Sequence, residues 1–444
     1  MPDKALREVL LPLRAFILSF GPLLLLALAL LWAAYAWLQP QPPSRVVLAT
    51  GVAQGAYAEF GSRYAERLRR HGITVELRAT QGAAENLALL RDPNSGVDLA
   101  FVQGGADAAR PGQPDPDAGL VSLGSLFHEP LWLFYRESSA QRLAGRERID
   151  GLTQLAGWTL NVGAPGSGVP PLMQLLLEAN RIDPAAIRLQ QQATTPAVVD
   201  LLEGRIDALV LASAPESQMV QMLLQTPGIR LLDFAQAEAY SRRFAFMSPV
   251  LLPRGVVDLA RDLPPADVRL VAPTATLLAR DSLHPALVQL FVQAAQQVHG
   301  GAGWFQRKGE FPNTANSERP LAPEAQRIYR SGPPWLQQYL PFWLANLADR
   351  MWVALLAIGA VLIPLSRILP PLVEFRIRSR VFRWYGQLRA VEHAQGRRPR
   401  AELLAELDQI ERRVGEISVP LSYADELYAL RTHIQGVRQR LQRD

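Results

Sequence analysis

Cysteine is absent from the 444-residue chain. Its absence excludes disulfides, thiol nucleophiles and thiolate metal sites, though it does not fix a redox compartment. Histidine is sparse. His71, His128, His284, His299, His393 and His433 are scattered, with no two at ligand spacing on one helix, so no metal site is expected. No Ser/His/Asp order or carboxylate pair stands apart from background, so neither catalysis nor a cofactor is expected. What is present is an ordinary folded composition, 49% hydrophobic and 20% charged, in a chain long enough for two or three domains.

The stretch NVGAPGSGVP, Asn161 to Pro170, has the outline of a phosphate loop. Gly163 and Gly168 stand at Walker spacing, but Val169 and Pro170 occupy the places of the lysine and the magnesium-holding hydroxyl, which excludes ATP there. Nor is it a Gly-x-Ser-x-Gly nucleophile elbow, because Pro165 takes the first glycine's place.

Two apolar segments set an orientation. Ala15 to Leu38 carries no charge and ends in Trp32, Tyr35 and Trp37, long enough to cross ~30 Å of hydrocarbon as a helix with an aromatic belt. Ala34-Tyr35-Ala36 resembles a signal cleavage site, but signal cores run ~7–15 residues, and the greater length favours an uncleaved anchor. Met351 to Val373 has one charge, Arg367, placed to snorkel. Trp335, Tyr339, Phe342 and Trp343 form a belt in the membrane-proximal segment 321–350, with Asp349 and Arg350 at the entry. Lys4, Arg7 and Arg14 precede the first span, and nine arginines face only Glu374 and Glu392 between Arg367 and Arg400. The positive-inside bias then makes 1–14 and 374–444 cytoplasmic. Residues beyond the 39–44 linker lie outside a bacterial inner membrane, in the periplasm. Topology accounts for the basic block, so no nucleic-acid partner is expected.

The exported body alternates β-rich runs (Val46–Ala49, Thr74–Arg78, Leu99–Val102, Leu131–Tyr135, Thr159–Val162, Arg188–Gln191, Ala208–Leu211) with helical patterns, which predicts an α/β fold. Two stretches, from Asn86 and from Val198, share one plan of helix, glycine turn, aspartate and apolar strand, with Asp98 and Asp207 equivalent. This is duplication or two ordinary units; either way the body holds two similar α/β units. Glycine-rich loops open helices at Thr50–Gly55, at Gln81–Gly82 and at Asn161–Pro170. Free N–H groups at helix starts favour an anion, and glycine admits it close to the backbone.

The runs TGVAQGAY, TQGAAENLALL…VDLAFVQ, LAGWTLNVGAPGSGVP and LLEGRIDALVLASA resemble, in order, the TAXI family of TRAP-associated extracytoplasmic solute-binding proteins, over roughly residues 45–315. The resemblance implies a two-lobed type II periplasmic-binding-protein-like domain at 45–320. Lobe 1 is about 45–130 and 245–320, lobe 2 about 136–243, with crossovers near Leu131–Arg136 and Phe244–Leu252. It implies a small organic acid, a carboxylate or acidic amino acid, held by Thr50, Gly51, Gly55, Ala56, Tyr57, Gln81, Gly82, Asn86 and Gln103 from lobe 1. From lobe 2 come Ala164, Pro165, Gly166, Ser167 and Gly168. Thr50 and Ser167 hydroxyls would hold a carboxylate, Tyr57 would stack on or hydrogen-bond the ligand, and Gln103 would meet a polar substituent. It also implies TRAP-type permease subunits as a partner, although family members are usually secreted free and this chain is tethered.

In the tail, Leu403, Leu407, Ile410, Val414 and Ile417, then Tyr423, Leu427, Leu430, Ile434, Val437 and Leu441, step by four and three around Pro420. That pattern predicts a C-terminal helical hairpin and a surface for a cytoplasmic partner. The expected function is solute binding for transport, with a transmembrane sensor as the alternative.

Overall fold

A computed structural model describes residues 21, 23–38, 41–53, 55–106, 119–315, 317–415 and 424–443. Lys4, Arg7, Arg14, the first part of the Ala15–Leu38 span, Ile417, Pro420 and Tyr423 lie outside the described residues. The chain divides into two units, one of residues 41–346, the other of 1–40 and 347–444.

Among the described residues of the 41–346 unit, eleven strands make two sheets. The first contains β1 (Arg45–Ala49), β2 (Thr74–Arg78), β3 (Leu99–Gln103), β4 (Leu120–His128), β10 (Met247–Leu252) and β11 (Val268–Arg280) in the order β10-β11-β3-β1-β2, with β4 also paired to β11. The second, ordered β7-β6-β8-β5-β9, contains β5 (Leu131–Arg136), β6 (Thr159–Asn161), β7 (Arg188–Gln190), β8 (Ala208–Ala212) and β9 (Ile229–Leu231). Apolar runs such as LAFVQ in β3 and ALVLA in β8 are buried nearly throughout, as strands covered on both faces must be.

The two sheets repeat one plan. β1 lies parallel between β2 and β3, and β6 lies parallel between β7 and β8. An antiparallel strand flanks each set, β11 on β3 and β5 on β8. The aspartates paired by sequence also match. Asp98 accepts from the Val47 N–H and Asp207 from the Thr159 N–H, each tying the start of one strand to its parallel neighbour.

Each sheet has its own core, with Leu48, Tyr64, Phe101 and Phe291 in the first and Trp132, Trp158, Leu172 and Phe234 in the second. The chain passes between them first at Glu129–Pro130, joining β4 to β5. The return expected near Phe244–Leu252 lies instead inside β11. Leu270, Val271 and Ala272 pack in the second core while Ala275, Leu277 and Leu278 pack in the first. β10 does not cross, because Met247, Val250 and Leu252 stay in the second core. The two passages touch: the Glu129 N–H donates to the Pro273 carbonyl at 2.9 Å.

In the other unit, Leu23–Leu38 is a short apolar helix, and the Arg350 guanidinium donates to the Leu38 carbonyl at 3.1 Å. Among the described residues one helix is long and apolar enough to cross a membrane, at Phe342–Ile368. Only 6% of its apolar window is buried, unlike a core helix. It begins before the expected Met351, because the turn at Pro341 already starts the helix and takes Phe342 and Trp343 into it. The same helix, Phe342–His393, continues into the tail and contributes Leu388 and Val391 to a core. Leu403, Leu407, Ile410 and Val414 of the helix Arg400–Gly415 join them, with Leu430, Ile434, Val437 and Leu441 of Ala424–Arg443. The hairpin expected from the a/d pattern is thus part of a three-helix core.

Candidate ligand-binding site

A cavity of about 410 Å³ lies among the loops that leave the carboxyl ends of the parallel strands, where open α/β sheets hold ligands. After β1 the chain turns at Val52–Gly55 and enters the helix Ala56–Arg69; after β2 it turns at Gln81–Gly82 into Ala83–Arg91. The second sheet repeats the arrangement, with Gly163–Gly168 leading into Val169–Ala179 and Ala193 into Thr194–Glu203. All four helices bring their first residues to the cavity wall, and none has a side chain capping its first N–H groups. Uncapped N–H groups at a helix start are unsatisfied donors that carry partial positive charge. Pro170, Pro171 and Pro196 bring no N–H and the Glu85 N–H is bonded to the Gly166 carbonyl, so the donors these ends bring to the cavity wall are the N–H groups of Ala56, Tyr57, Ala83, Val169, Thr194 and Thr195, a set that suits an anion.

Of the residues singled out by sequence, Gly51, Gly55, Ala56, Tyr57, Gln81, Gly82, Gln103, Ala164, Ser167 and Gly168 line the cavity. Thr50, Asn86, Pro165 and Gly166 do not. The Thr50 hydroxyl donates to the Arg78 carbonyl rather than facing a ligand. Asn86 is fully buried and works as a brace, its amide donating to the Thr50 carbonyl at 2.5 Å and the Phe101 carbonyl at 2.8 Å while its oxygen accepts from Thr80. Pro165 is exposed, and the Gly166 carbonyl accepts from the Glu85 N–H at 3.0 Å, linking loops of the two sheets. Gln103 Nε2 and Ser167 Oγ are buried without a hydrogen-bond partner, so both keep a donor for an occupant.

Tyr57 differs from its expected role. Its ring stacks on Phe101 at 5.2 Å and meets Phe127 edge-on, and its hydroxyl donates to Glu129 Oε2 at 2.7 Å. Tyr57 is therefore core, with one end spent on a carboxylate. Glu129 itself was not singled out. It is 4% exposed and lines the cavity. Burial pushes its carboxyl up to about 7, partly opposed by the Tyr57 hydroxyl; burial and then Glu129 raise the Tyr57 phenol in turn. No motif marks this residue; it is a single acid before Pro130 and reaches the cavity because it occupies the passage between the sheets.

Other lining residues were also missed: Ala193–Thr195 and Val210–Ser213, with Ser217 and Met219. The internal echo could have found the first two groups, since they are the second sheet's counterparts of Gln81–Ala83 and the Gln103 strand end. Among the described residues that line the cavity there is no lysine, arginine or histidine. Arg45 pairs with Glu76, and Arg78 donates to the Ser95 carbonyl, so neither supplies charge there.

A sequence profile described as the NMT1-like family matches residues 48–330. No curated protein sequence matches the chain. Among solved structures, the chain is similar to a periplasmic transporter, at 14% identity and a TM-score of 0.40, over 68% of this chain and 99% of that one. A protein from Bordetella bronchiseptica RB50 is similar at 16% identity and 0.39, over 57% of this chain and 70% of that one. The effector-binding domain of QuiR in complex with shikimate is similar at 14% and 0.36, over 58% and 98%.

Proposed function

The chain belongs to the NMT1-like family, and from that premise we propose that it is a membrane-anchored extracytoplasmic solute-binding protein of TAXI type. Its two sheets act as lobes that close over a small organic acid for transport, and it is not an enzyme. The observation that carries the reading is the meeting of four uncapped helix starts on one cavity. The N–H groups of Ala56, Tyr57, Ala83, Val169, Thr194 and Thr195 at those starts would serve a carboxylate without a basic side chain, and Ser167 and Gln103 add hydroxyl and amide donors. A volume of about 410 Å³ suits a small molecule. The span Phe342–Ile368 and the arginines after it support a tether in the bacterial inner membrane, both termini cytoplasmic and the binding domain periplasmic. TRAP-type permease subunits would receive the solute.

A second reading, a transmembrane sensor, draws on one feature: the apolar helix continues without a break into the three-helix core of the tail. A cytoplasmic partner on that core would then read lobe closure. Equilibrium dialysis of the purified full chain against labelled small carboxylates tests the common premise, with one equivalent bound as the expected result. Truncation after Arg400 separates the two readings. Uptake into membrane vesicles should survive it in a receptor, whereas a sensor should still bind solute but lose its response.

A further inference from the structure

The cavity's charges are unbalanced in a way that selects its occupant. Donors outnumber acceptors: the N–H groups of Ala56, Tyr57, Ala83, Val169, Thr194 and Thr195 at the helix starts, Gln103 Nε2 and Ser167 Oγ. Glu129 is the one ionisable acid among the described residues that line the space, and its recorded side-chain partner is the neutral Tyr57 hydroxyl. A buried carboxylate with no cation beside it is costly unless the occupant brings one. Glu129 is also held in place, its own N–H bonded to Pro273 where the two passages between the sheets touch.

We infer that the solute is a zwitterion, an acid that also carries a protonated amine, with its carboxylate on the helix starts and its ammonium on Glu129. This rests on the reading above that the cavity holds a carboxylate, and it narrows that reading from organic acids in general to amino acids. An acid lacking the amine leaves Glu129 uncompensated, and a second carboxylate directed at Glu129 adds like-charge repulsion.

The test uses the purified full chain and matched probes that differ only in the nitrogen: alanine with lactate, leucine with 2-hydroxy-4-methylpentanoate, phenylalanine with phenyllactate, glutamate with 2-hydroxyglutarate. Titration calorimetry at neutral pH should show at least one amino acid binding about 100-fold more tightly than its hydroxy partner, or about 2.7 kcal/mol. Glu129→Gln should remove that preference by weakening the amino acid and leaving the hydroxy acid within about threefold. Glu129→Asp, which keeps the charge, should retain part of it. Hydroxy acids binding wild type as well as their amino partners would overturn the inference and leave the carboxylate site standing. An undiminished preference in Glu129→Gln would equally overturn the assignment to Glu129. If no probe of either series binds, the carboxylate reading fails first and this inference falls with it.

Discussion

Leucine at position 168 is expected to abolish solute binding while leaving the fold intact. Gly168 has φ −75° and ψ −10°, a conformation any residue adopts, so the backbone needs no glycine there. Space across the cavity does. A Cβ on Gly168 would stand 2.6 Å from Gln103 Oε1 and 3.3 Å from the Ala83 Cβ, residues that end β3 and begin the helix Ala83–Arg91 beside the first sheet. A leucine side chain must either hold the two sets of loops apart or occupy the solute's volume. Affinity should fall at least ~100-fold, about 2.7 kcal/mol, with unfolding free energy changed by no more than about 1 kcal/mol. Calorimetric titration alongside a urea melt checks both halves. Binding within threefold of wild type would mean that the close approach of Gly168 to Gln103 has no part in the bound state.

The second large effect is on stability. Glu129 holds its proton up to about 7 in the fold against an ordinary value of 4.5, so between those pH values the folded protein binds more protons than the unfolded chain. Stability must then fall as pH rises through that window. The contribution is complete below about pH 4.5 and is lost by about pH 7, on the order of 3 kcal/mol for a shift of this size. Glu129→Gln keeps an acceptor for the Tyr57 hydroxyl and removes the charge. Urea melts from pH 4 to 8 should show the variant matching wild type at the acid end and exceeding it above pH 7. Parallel curves for the two proteins would show that Glu129 ionises in the fold without penalty. The same substitution that stabilises the empty protein should weaken amino-acid binding.

Much of this arrangement is written locally. Glycine at 82, 163 and 166 takes positive φ values that side chains rarely adopt, and such positions show themselves in sequence as GA or PG turns between an apolar strand and a helix. The two aspartates showed themselves the same way, each at a fixed step before its strand. Glu129 did not, because nothing within a few residues distinguishes an acid that will be buried from one left in water; its partners, the Tyr57 hydroxyl and the Pro273 carbonyl, come from distant parts of the chain. The misplaced crossover has the same cause. MSPVLL reads as a strand in either sheet, and its assignment to the second core depends on packing against β11. In the tail the a/d repeat was legible, but the third helix was hidden where arginines interrupt the apolar period before Leu388.

The central claim, that a carboxylate-bearing solute sits among these helix starts, is met most directly by a thermal-shift screen of the full chain against small organic acids, amino acids and nucleotides, repeated on Ser167→Trp. At 100 times its dissociation constant a ligand should add ~2.7 kcal/mol, several degrees in Tm. The account predicts that a carboxylate raises the midpoint of wild type and that the tryptophan, filling the cavity from the Gly163–Gly168 turn, removes the shift. A nucleotide shift with no response to any acid, or an acid shift that survives Ser167→Trp, would contradict it.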